Sequence, residues 1–531
     1  MEATLGTWIV FTLYSAAVIW LGFWSRRVRQ RRSLENKNLE FWLANRELPG
    51  WRLGISLCSG WLMLGWIGFG MSQIYAYGAT GLWVLAIPWF VLCILIVVLV
   101  PFYRRVAAVS LPQAIGRRFG PGARYLTAVF SFCVFLSWTG AELVMVKTLV
   151  APGLGLAEHA NWALALFIVP ILIYTVLGGF RAIITTDLIQ FGIMVVFILV
   201  LGGWAYTEAS AAAPGGILEA LREATPPWAE QGRALDLGFL GFIFPVALLV
   251  GYLPGWLIEQ DLALRIQAAP TTRQARGGAL LGSAFIIVFI IVIPAIVAFC
   301  ALVVFPPGSE QGAAVGADFT QIILAFIQQM PSWLALFMFL GLVACQMSTV
   351  DTFSNVTAMP LAYDLLEPLA MRGASRERIA GMARLITAGA VLMALGYAVF
   401  SDSLGDVYYL SSGILSACIA VPAIAIFWKR ATSAGVIVGS LVGVAATLVT
   451  YFWEYRVLLA ADPADANYYL NALPSWLANG CGYLYIGAGV IVSVVGLVSV
   501  SLVTQPSHAE HLAAVSATPL EGTAPLEAVS E

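Results

Sequence analysis

The most informative stretch of the chain lies in its second half, where an apolar run meets a polar one. The run Phe337–Leu342 leads into Ala344-Cys345-Gln346-Met347-Ser348-Thr349-Val350-Asp351-Thr352. Polar groups at bilayer depth are costly, so they usually face a cavity, a partner or an ion. A helix places the Ser348 hydroxyl on the same face as the Cys345 carbonyl, with the Thr349 hydroxyl beside it. Neutral oxygens in this arrangement suit a small, hard, singly charged cation, so the stretch predicts a sodium site inside a membrane helix.

The composition indicates an integral membrane protein. Of the 531 residues, 60% are hydrophobic and 11% are charged, and the mean hydropathy is +0.88, which is not typical of a soluble domain of this length. The formal net charge of -2 gives no electrostatic reason to expect a nucleic-acid partner. The seven cysteines are scattered and show neither metal-ligand spacing nor a disulfide pattern. No obligate protein partner is evident.

Apolar segments of membrane-spanning length recur along the chain and predict an all-α protein with about thirteen transmembrane helices. These segments lie near residues 7–25, 52–77, 80–102, 124–150, 161–178, 184–206, 237–260, 277–305, 332–358, 381–400, 405–428, 433–453 and 478–503. We expect residues 1–503 to form one integral domain. Residues 504–531 are rich in Ser, Ala, Pro and Glu and lack apolar periodicity, so they are predicted to form a disordered tail.

The positive charges predict the orientation in the membrane. Nearly all of the 27 Lys and Arg residues fall in the loops that follow the odd-numbered spans, and loops rich in these residues remain in the cytoplasm. This places the N-terminus outside and the C-terminal tail in the cytoplasm. The expected location is the plasma membrane, or the inner membrane if the source is a bacterium.

Two of the spans carry helix-breaking residues in corresponding places. The span near 52–77 is rich in glycine between Gly54 and Gly70, and the span near 237–260 contains Gly251-Tyr252-Leu253-Pro254-Gly255-Trp256. In lipid, an unwound backbone is tolerated only where protein or a cavity surrounds it. Breaks five spans apart fit two halves of an inverted repeat, with a binding site between them. The alternative is that Gly and Pro are simply common in membrane helices.

Several motifs, in the same order along the chain, resemble the sodium:solute symporter family, which includes proline, sugar, pantothenate and monocarboxylate carriers. The motifs are Phe41–Trp51, Leu111–Gln113 with Arg117–Gly120, Tyr174–Ala182 with Thr186, Asp187 and Gln190, Met347–Thr349, and Phe427–Thr432 with Gly435. The resemblance covers nearly all of residues 1–503, and it implies that these residues form the transporter domain. It also implies a LeuT-like fold, in which a five-plus-five inverted repeat, near 52–206 and 237–428, follows one extra helix and precedes two more.

The same resemblance implies the ligands of a sodium ion, which would be co-transported. These are the backbone carbonyls of Ser59, Leu62 and Cys345 and the hydroxyls of Ser348 and Thr349. For Asp187, near the cytoplasmic end of its span, the resemblance implies a role in releasing sodium or in stabilising the inner gate. The alternative for Asp187 is a structural ion pair with Arg181.

Two departures from the family pattern leave the solute open. The first interrupted span offers Trp61 where the proline-carrier branch has an aspartate. After the second interruption the chain reads Glu259-Gln260-Asp261, followed by Leu264-Arg265. These differences concern the solute more than the fold.

Four residues are candidates for contact with the solute. Glu142 would bind a cationic group or a proton; the alternative is that it packs against a polar neighbour, while Lys147 extends toward the outer surface. Trp66, Tyr252 and Trp256 would line the solute pocket, where aromatic faces favour an amine. The alternative for these three is anchoring at the membrane interface.

These patterns together predict a sodium-coupled symporter for a small polar organic solute, which would be an amino acid, a monocarboxylate or an amine. Its expected partners are that solute and membrane lipid. One alternative keeps the fold but couples transport to protons, through Glu142 or Asp187. Another is a membrane sensor built on a transporter fold. An enzyme is not expected, because the sequence shows no nucleophile–base set or metal-ligand cluster, and its three histidines lie outside the spans.

Overall fold

The protein is built from α-helices. The structure, a computed structural model, describes residues 5–30, 46–105, 108, 110–178, 180–229, 231–317, 319–371, 376–400, 405–454 and 484–505, and these ranges contain no β-strand. The helices, numbered in chain order, are α1 Leu5–Gln30, α2 Gly50–Trp61, α3 Leu64–Tyr77, α4 Leu82–Leu85, α5 Ile87–Arg105, α6 Leu111–Phe119, α7 Pro121–Met145, α8 Ala160–Gly178, α9 Phe180–Ala212, α10 Ile217–Glu223, α11 Ile243–Leu257, α12 Gln260–Ala268, α13 Thr272–Ile286, α14 Ile293–Val304, α15 Ile322–Gln328, α16 Ser332–Met359, α17 Glu367–Ala370, α18 Arg376–Phe400, α19 Gly405–Leu415, α20 Val421–Ala425, α21 Ser433–Trp453 and α22 Leu484–Val503. Wider π-helical turns occupy Val146–Val150, Ile287–Val292, Pro360–Leu366 and Ser416–Ala420, and 3-10 turns occupy Gly78–Gly81, Pro152–Leu154, Ala157–His159 and Gln311–Val315.

The predicted membrane spans are helices in the structure. By length and apolar character, eleven helices in the described ranges can cross a membrane, or twelve if α11 and α12 form one bent span. The 41-residue stretch Leu64–Arg104 is about twice the length that one crossing needs, and Gly78, with a φ of +65°, divides it. With that stretch counted as two, each of the thirteen predicted spans has a helical counterpart. Of the predicted tail, only Thr504 and Gln505 lie within the described residues.

The outer faces of the helices are apolar. Large side chains such as Trp20, Phe90, Trp162, Leu385 and Phe400 are exposed. Soluble proteins rarely expose apolar surface on this scale. The protein is therefore a multi-pass membrane protein whose outer helix faces contact lipid.

Three helices meet in the interior of the bundle and position the first cluster described below. Helix α9 packs against α2 and α16, and α2 also packs against α16. Helix α7 lies against α16 and α19, and α11 lies against α19. Helix α16 thus faces α2 and α9 on one side and α7 on another.

The first predicted break is confirmed and lies between α2 and α3. Helix α2 ends at Trp61, and α3 begins at Leu64. Between them Leu62 has a ψ of 61° and Met63 a ψ of 107°, so the backbone leaves the helical region for two residues. Both flanking helices are buried along most of their length, which satisfies the condition for an unwound backbone inside a membrane.

The second break lies later than the sequence predicts. Pro254 remains inside α11, and the chain bends by 42° between Leu257 and Gln260 instead. Beside Pro254, the Ser416 hydroxyl accepts from the Gly255 N–H at 2.9 Å and donates to the Gly251 carbonyl. A side chain from α19's π-helical extension thus satisfies two backbone groups of the turn that contains Pro254.

Two arginines, Arg118 and Arg124, link the ends of several helices. The Arg124 Nε lies 3.0 Å from Asp364 Oδ1, and Ser110 donates to the same oxygen at 2.7 Å. The guanidinium of Arg118 donates to the Ala431 carbonyl at 3.3 Å, and burial lowers the pKa of this guanidinium. These contacts join the start of α7 to the π-helical extension of α16, and α6 to the start of α21.

Small residues allow α2 and α13 to cross at close range. A Cβ atom at Gly278 would lie 2.5 Å from the Gly50 carbonyl oxygen, and one at Gly54 would lie 2.5 Å from the Gly278 carbonyl oxygen. Close backbone approach through small residues is a common basis for helix association in membranes. This crossing fixes the half-helix α2, which ends at the first break.

This crossing predicts opposite effects for two adjacent substitutions. Gly278→Ala should lower the midpoint of thermal unfolding, with a cost of about 1–3 kcal/mol, because its methyl group collides with a backbone carbonyl. Gly277→Ala is the matched control, since a Cβ there meets nothing within 4 Å. It should be neutral or stabilising, because alanine favours the helix. Equal midpoints for the two purified variants would contradict the close crossing.

Candidate functional site

Asp187 on α9 is the centre of a buried polar cluster. Its Oδ1 accepts from the Ser348 hydroxyl at 2.8 Å, and its Oδ2 accepts from the Ser56 hydroxyl. The hydroxyls of Ser348 and Ser59 lie 3.0 Å apart. All four side chains are fully buried. Helices α2, α9 and α16 therefore meet through oxygen atoms.

Arg265 on α12 supplies the positive charge of this cluster. Its Nη2 lies 3.6 Å from Asp187 Oδ2, and its Nη1 lies 3.1 Å from Asp261 Oδ2. The same guanidinium donates to the Ser56 hydroxyl at 3.0 Å and to the Thr352 hydroxyl at 3.2 Å. A planar guanidinium can satisfy several acceptors at once, which suits arginine to a buried site.

Asp261 connects the two interrupted helices. Besides Arg265, its Oδ2 accepts from the Trp61 indole N–H at 2.6 Å. Trp61 is the last residue of α2, and Asp261 lies in the first turn of α12, where the helix dipole favours a carboxylate. The first and second breaks are thus held together by one charged hydrogen bond.

Several carboxyl groups surround one guanidinium in this cluster. Glu259 is buried beside Asp261, and Asp187 and Asp261 both lie within 4 Å of Arg265. Among the described residues of the cluster, Arg265 is the only basic side chain in contact with these carboxyl groups.

Two of the predicted sodium ligands, Ser59 and Ser348, lie in this cluster and contact each other. Leu62 lies at the first break, and Cys345 is buried one turn before Ser348 on α16. The Thr349 hydroxyl is buried and has no hydrogen-bond partner among the described residues. Oxygen atoms of this kind suit a hard cation. Within the described residues, no group of three or more His, Cys, Asp or Glu side chains could hold a metal ion.

Glu142 on α7 forms the second buried polar centre. Its Oε1 accepts from the Tyr408 hydroxyl, and its Oε2 accepts from the Gly65 N–H at 3.1 Å. With its amide nitrogen turned toward Glu142, Gln346 donates to Oε2 at 3.2 Å. A Cβ at Gly65 would lie 2.7 Å from Glu142 Oε1, so glycine is required for this approach. The carboxylate therefore caps the N-terminus of α3, directly after the first break.

Aromatic side chains surround the start of α3. The ring of Trp66 lies 5.3 Å from that of Trp256, 5.9 Å from Tyr252 and 5.6 Å from Tyr408, measured between centroids. Tyr252 stacks on Trp256 at 4.7 Å and on Tyr409 at 5.2 Å. The predicted solute residues Trp66, Tyr252 and Trp256 thus form one cluster, and Gly65 links it to Glu142.

Other residues named from the sequence lie elsewhere or have different partners. The described contacts of Asp187 are with Ser56, Ser348 and Arg265, while the side chain of Arg181 lies outside the described residues. Lys147 is half-buried in the π-helical turn after α7. Asp351 is buried and bonds to Tyr174.

The sequence reasoning missed several residues of the two clusters. No role was predicted for Arg265, Asp261, Ser56 or Tyr408. Arg265 and Asp261 could have been recognised in the sequence, because opposite charges four residues apart on a helix indicate an ion pair. These two residues also follow a predicted helix break. Tyr408 carried no such signal, because only the packing of α19 against α7 brings it to Glu142.

Comparisons with known proteins agree on a family. The family model described as "Sodium:solute symporter family" matches residues 41–443. A sodium/glucose cotransporter of Vibrio parahaemolyticus is 25% identical over 489 residues, which cover 84% of this chain and 84% of that protein. Sodium/glucose cotransporter 1 of Oryctolagus cuniculus is 24% identical over 554 residues, covering 95% of this chain and 80% of the relative.

Solved structures show the same fold. A Na+-coupled sialic acid symporter in a substrate-bound outward-open state superposes with a TM-score of 0.68 at 16% identity, covering 95% of this chain and 99% of the other. A nucleobase-cation-symport-1 family transporter in a closed conformation gives a TM-score of 0.50 at 11% identity, covering 89% and 96%. The LeuT-like fold expected from the motifs is therefore confirmed.

The Asp187–Arg265 contact predicts a strongly non-additive pair of substitutions. Arg265→Gln leaves buried carboxylates without a cation and should cost about 3–5 kcal/mol. Adding Asp187→Asn removes one of those charges, so the double variant should be more stable than Arg265→Gln alone. Thermal unfolding of the two single variants and the double variant gives the coupling between the sites.

A surface pair provides the control for this cycle. Arg233 lies 3.9 Å from Asp236, and both side chains are more than 40% exposed, so Arg233→Gln should change stability by less than about 1 kcal/mol. Additive effects of Arg265→Gln and Asp187→Asn would mean that the two buried groups do not interact.

Proposed function

The chain belongs to the sodium:solute symporter family, and we propose that it carries a small polar organic solute across the membrane together with sodium, by alternating access. The observation that best supports sodium coupling is the contact of the buried Ser59 and Ser348 hydroxyls, 3.0 Å apart, beside the carboxyl group of Asp187. Oxygen atoms of this kind suit a hard cation. Sodium coupling is also what the family's description states.

We assign the sodium ligands as the carbonyls of Ser59, Leu62 and Cys345 and the hydroxyls of Ser348 and Thr349. Thr349 gives this assignment a specific support, because its buried hydroxyl has no hydrogen-bond partner in the part of the chain that the structure describes. A buried hydroxyl without a hydrogen bond costs free energy, and a cation would satisfy its oxygen. Asp187 contributes its charge through Ser348 rather than as a sixth ligand.

Asp187 has the proposed role of releasing sodium toward the cytoplasm. Its carboxylate contacts both Ser348 and Arg265, so the guanidinium and the ion compete for the same negative charge. A shift of Asp187 toward Arg265 would weaken the ion's surroundings and favour its departure. The cytoplasmic location of this end of α9, with the N-terminus outside, follows from the loop charges and belongs to the proposal.

The driving force of one sodium ion is sufficient for concentrative uptake. Moving one charge across the membrane supplies about 2.3 kcal/mol per 100 mV, and a tenfold sodium gradient adds about 1.4 kcal/mol. The sum corresponds to a solute gradient of several hundredfold. One ion therefore supports the proposed transport.

The solute remains one of three classes at this point: an amino acid, a monocarboxylate or an amine. The relatives above are named as glucose cotransporters, so a sugar is a fourth class to test. Proton coupling through Glu142 or Asp187, and a sensor built on the same fold, are the competing functions. Both predict that sodium does not control solute binding.

The sodium site predicts that Thr349→Ala acts only when sodium is present. In potassium, the variant should unfold at or above the wild-type temperature, because it loses a hydroxyl that has no partner. In sodium, it should need about tenfold more of the ion for half-maximal stabilisation. Ser348→Ala combined with Thr349→Ala should raise that concentration further. Thermal shift of the purified protein in sodium and in potassium, at equal ionic strength, measures both effects.

Ser354→Ala is the matched control on the same helix. The Ser354 hydroxyl donates to the Val350 carbonyl of its own helix, so its removal should leave the sodium dependence unchanged. If wild type and the Ser348/Thr349 variant respond equally to sodium, the site assignment is wrong. If the wild-type protein responds to pH but not to sodium, coupling is to protons.

A further inference from the structure

Glu142 is a buried carboxylate without a cationic partner. Its side chain is fully buried, and among the described residues no Lys, Arg or His nitrogen lies within 4.0 Å of it. Its donors are the Tyr408 hydroxyl, the Gln346 amide and the backbone N–H groups of Gly65 and Trp66. Neutral donors stabilise a carboxylate, but they leave its charge uncompensated. Arg265 is engaged with Asp187 and Asp261 and does not serve Glu142.

Helix capping alone does not account for the surroundings of Glu142. Glu454 is a comparable buried glutamate, which accepts from the Leu484 and Tyr485 N–H groups, both at 3.2 Å, at the start of α22. Glu142 differs from Glu454 because the helix end that it caps lies at the first break, next to the aromatic cluster.

The aromatic cluster supplies the second half of a cation site. The rings of Tyr252, Trp256 and Tyr408 lie 5.9, 5.3 and 5.6 Å from the ring of Trp66, and Tyr408 also donates to Glu142. Aromatic faces attract organic cations, most strongly where water is excluded. Sodium is small and strongly hydrated, and it finds few oxygen ligands among indole and phenol rings. The combination of one carboxylate and several aromatic faces favours an organic ammonium group.

Trp66 adds a hydrogen-bond donor to this site. Among the described residues its buried indole N–H has no hydrogen-bond partner, and the same is true of Trp89, whose ring stacks on that of Trp66 at 6.4 Å. Unsatisfied buried donors are rare and call for an acceptor. An oxygen atom on the solute would provide one.

We propose that Glu142 and the aromatic cluster around Trp66 bind the ammonium group of an organic amine that is carried with sodium, and that an indole N–H contacts an oxygen of the same molecule. This inference rests on the proposed function and selects one of its solute classes. The proposed site disfavours simple anions as solutes, because Glu142 already occupies the N-terminus of α3, where an anionic group would otherwise bind. It also disfavours uncharged sugars, which would leave the charge of Glu142 uncompensated.

The experiment compares ammonium compounds with uncharged molecules of the same shape. Purified wild-type protein in sodium is heated with ethanolamine, choline or glycine, and separately with ethylene glycol, 3,3-dimethylbutan-1-ol or glycolamide, all at millimolar concentrations. Glucose and lactate complete the panel. We expect at least one ammonium compound to raise the unfolding temperature, whereas its uncharged counterpart does not. If no ammonium compound exceeds its counterpart, or if glucose or lactate stabilises more, the inference is overturned.

Substitution of the carboxylate tests the residue itself. Glu142→Gln keeps the shape and most hydrogen bonds but removes the charge, so the affinity for the stabilising ammonium compound should fall about tenfold or more. Glu142→Asp keeps the charge and should lose less, which separates recognition from misfolding. Glu454→Gln is the matched control and should bind the compound like wild type. Equal affinity of Glu142→Gln and wild type would refute the role of Glu142.

The same panel, repeated in potassium, separates this inference from the proposed function. Sodium stabilisation without any ammonium preference would retain sodium coupling and reject the amine. An ammonium preference that is equal in sodium and potassium would retain the amine site and reject sodium coupling. A Glu142→Gln variant that loses only pH dependence would identify Glu142 as a proton carrier, and the amine assignment would fail.

Discussion

The buried guanidinium of Arg265 constrains the centre of this molecule more than any other group. Charges inside a membrane protein must be paired, because their desolvation is expensive. Arg265 satisfies this condition by joining Asp187 on α9, Asp261 on its own helix, Ser56 on α2 and Thr352 on α16. Four helices are therefore held in one arrangement by a single side chain, and both interrupted helices take part in it. The hydroxyls of Ser59 and Ser348 meet because these helices do.

Much of the fold was predictable from the sequence, because hydropathy acts over whole segments. Each of the thirteen predicted spans has a helical counterpart among the described residues, and the break after Trp61 lies within the glycine-rich stretch that predicted it. The second break was misplaced, because α11 continues through Pro254. Beside Pro254, the Ser416 hydroxyl inserts between the Gly251 carbonyl and the Gly255 N–H. Ser416 is more than 150 positions away in the chain, so no local pattern reveals this contact.

The candidate site was predictable where its residues share one helix and less so where they come from several. Cys345, Ser348 and Thr349 are recognisable from their spacing on α16, and Trp66, Tyr252 and Trp256 from their nearness to the breaks. The contacts of Glu142 with Gly65, Tyr408 and Gln346 join α7 to three other helices. Such contacts depend on tertiary packing, and no periodic pattern in the sequence predicts them.

Helix α16 carries residues of both polar centres. Cys345 belongs to the proposed ion site, and the next residue, Gln346, donates to Glu142. A change in the position of α16 on ion binding would therefore move a donor of the solute site. Coupling between two ligands is reciprocal, so whatever factor sodium contributes to solute affinity, the solute must contribute to sodium affinity.

The Ser416 hydroxyl inside α11 has a consequence for how that helix can move. It lies between the Gly251 carbonyl and the Gly255 N–H, and it belongs to the chain segment that follows α19. The inserted hydroxyl takes the place of the direct hydrogen bond that a regular helix would form between these two groups. Separating the segment that follows α19 from α11 would therefore break two buried hydrogen bonds at once. Ser416 thus ties α11 to that segment, so the two are expected to move together.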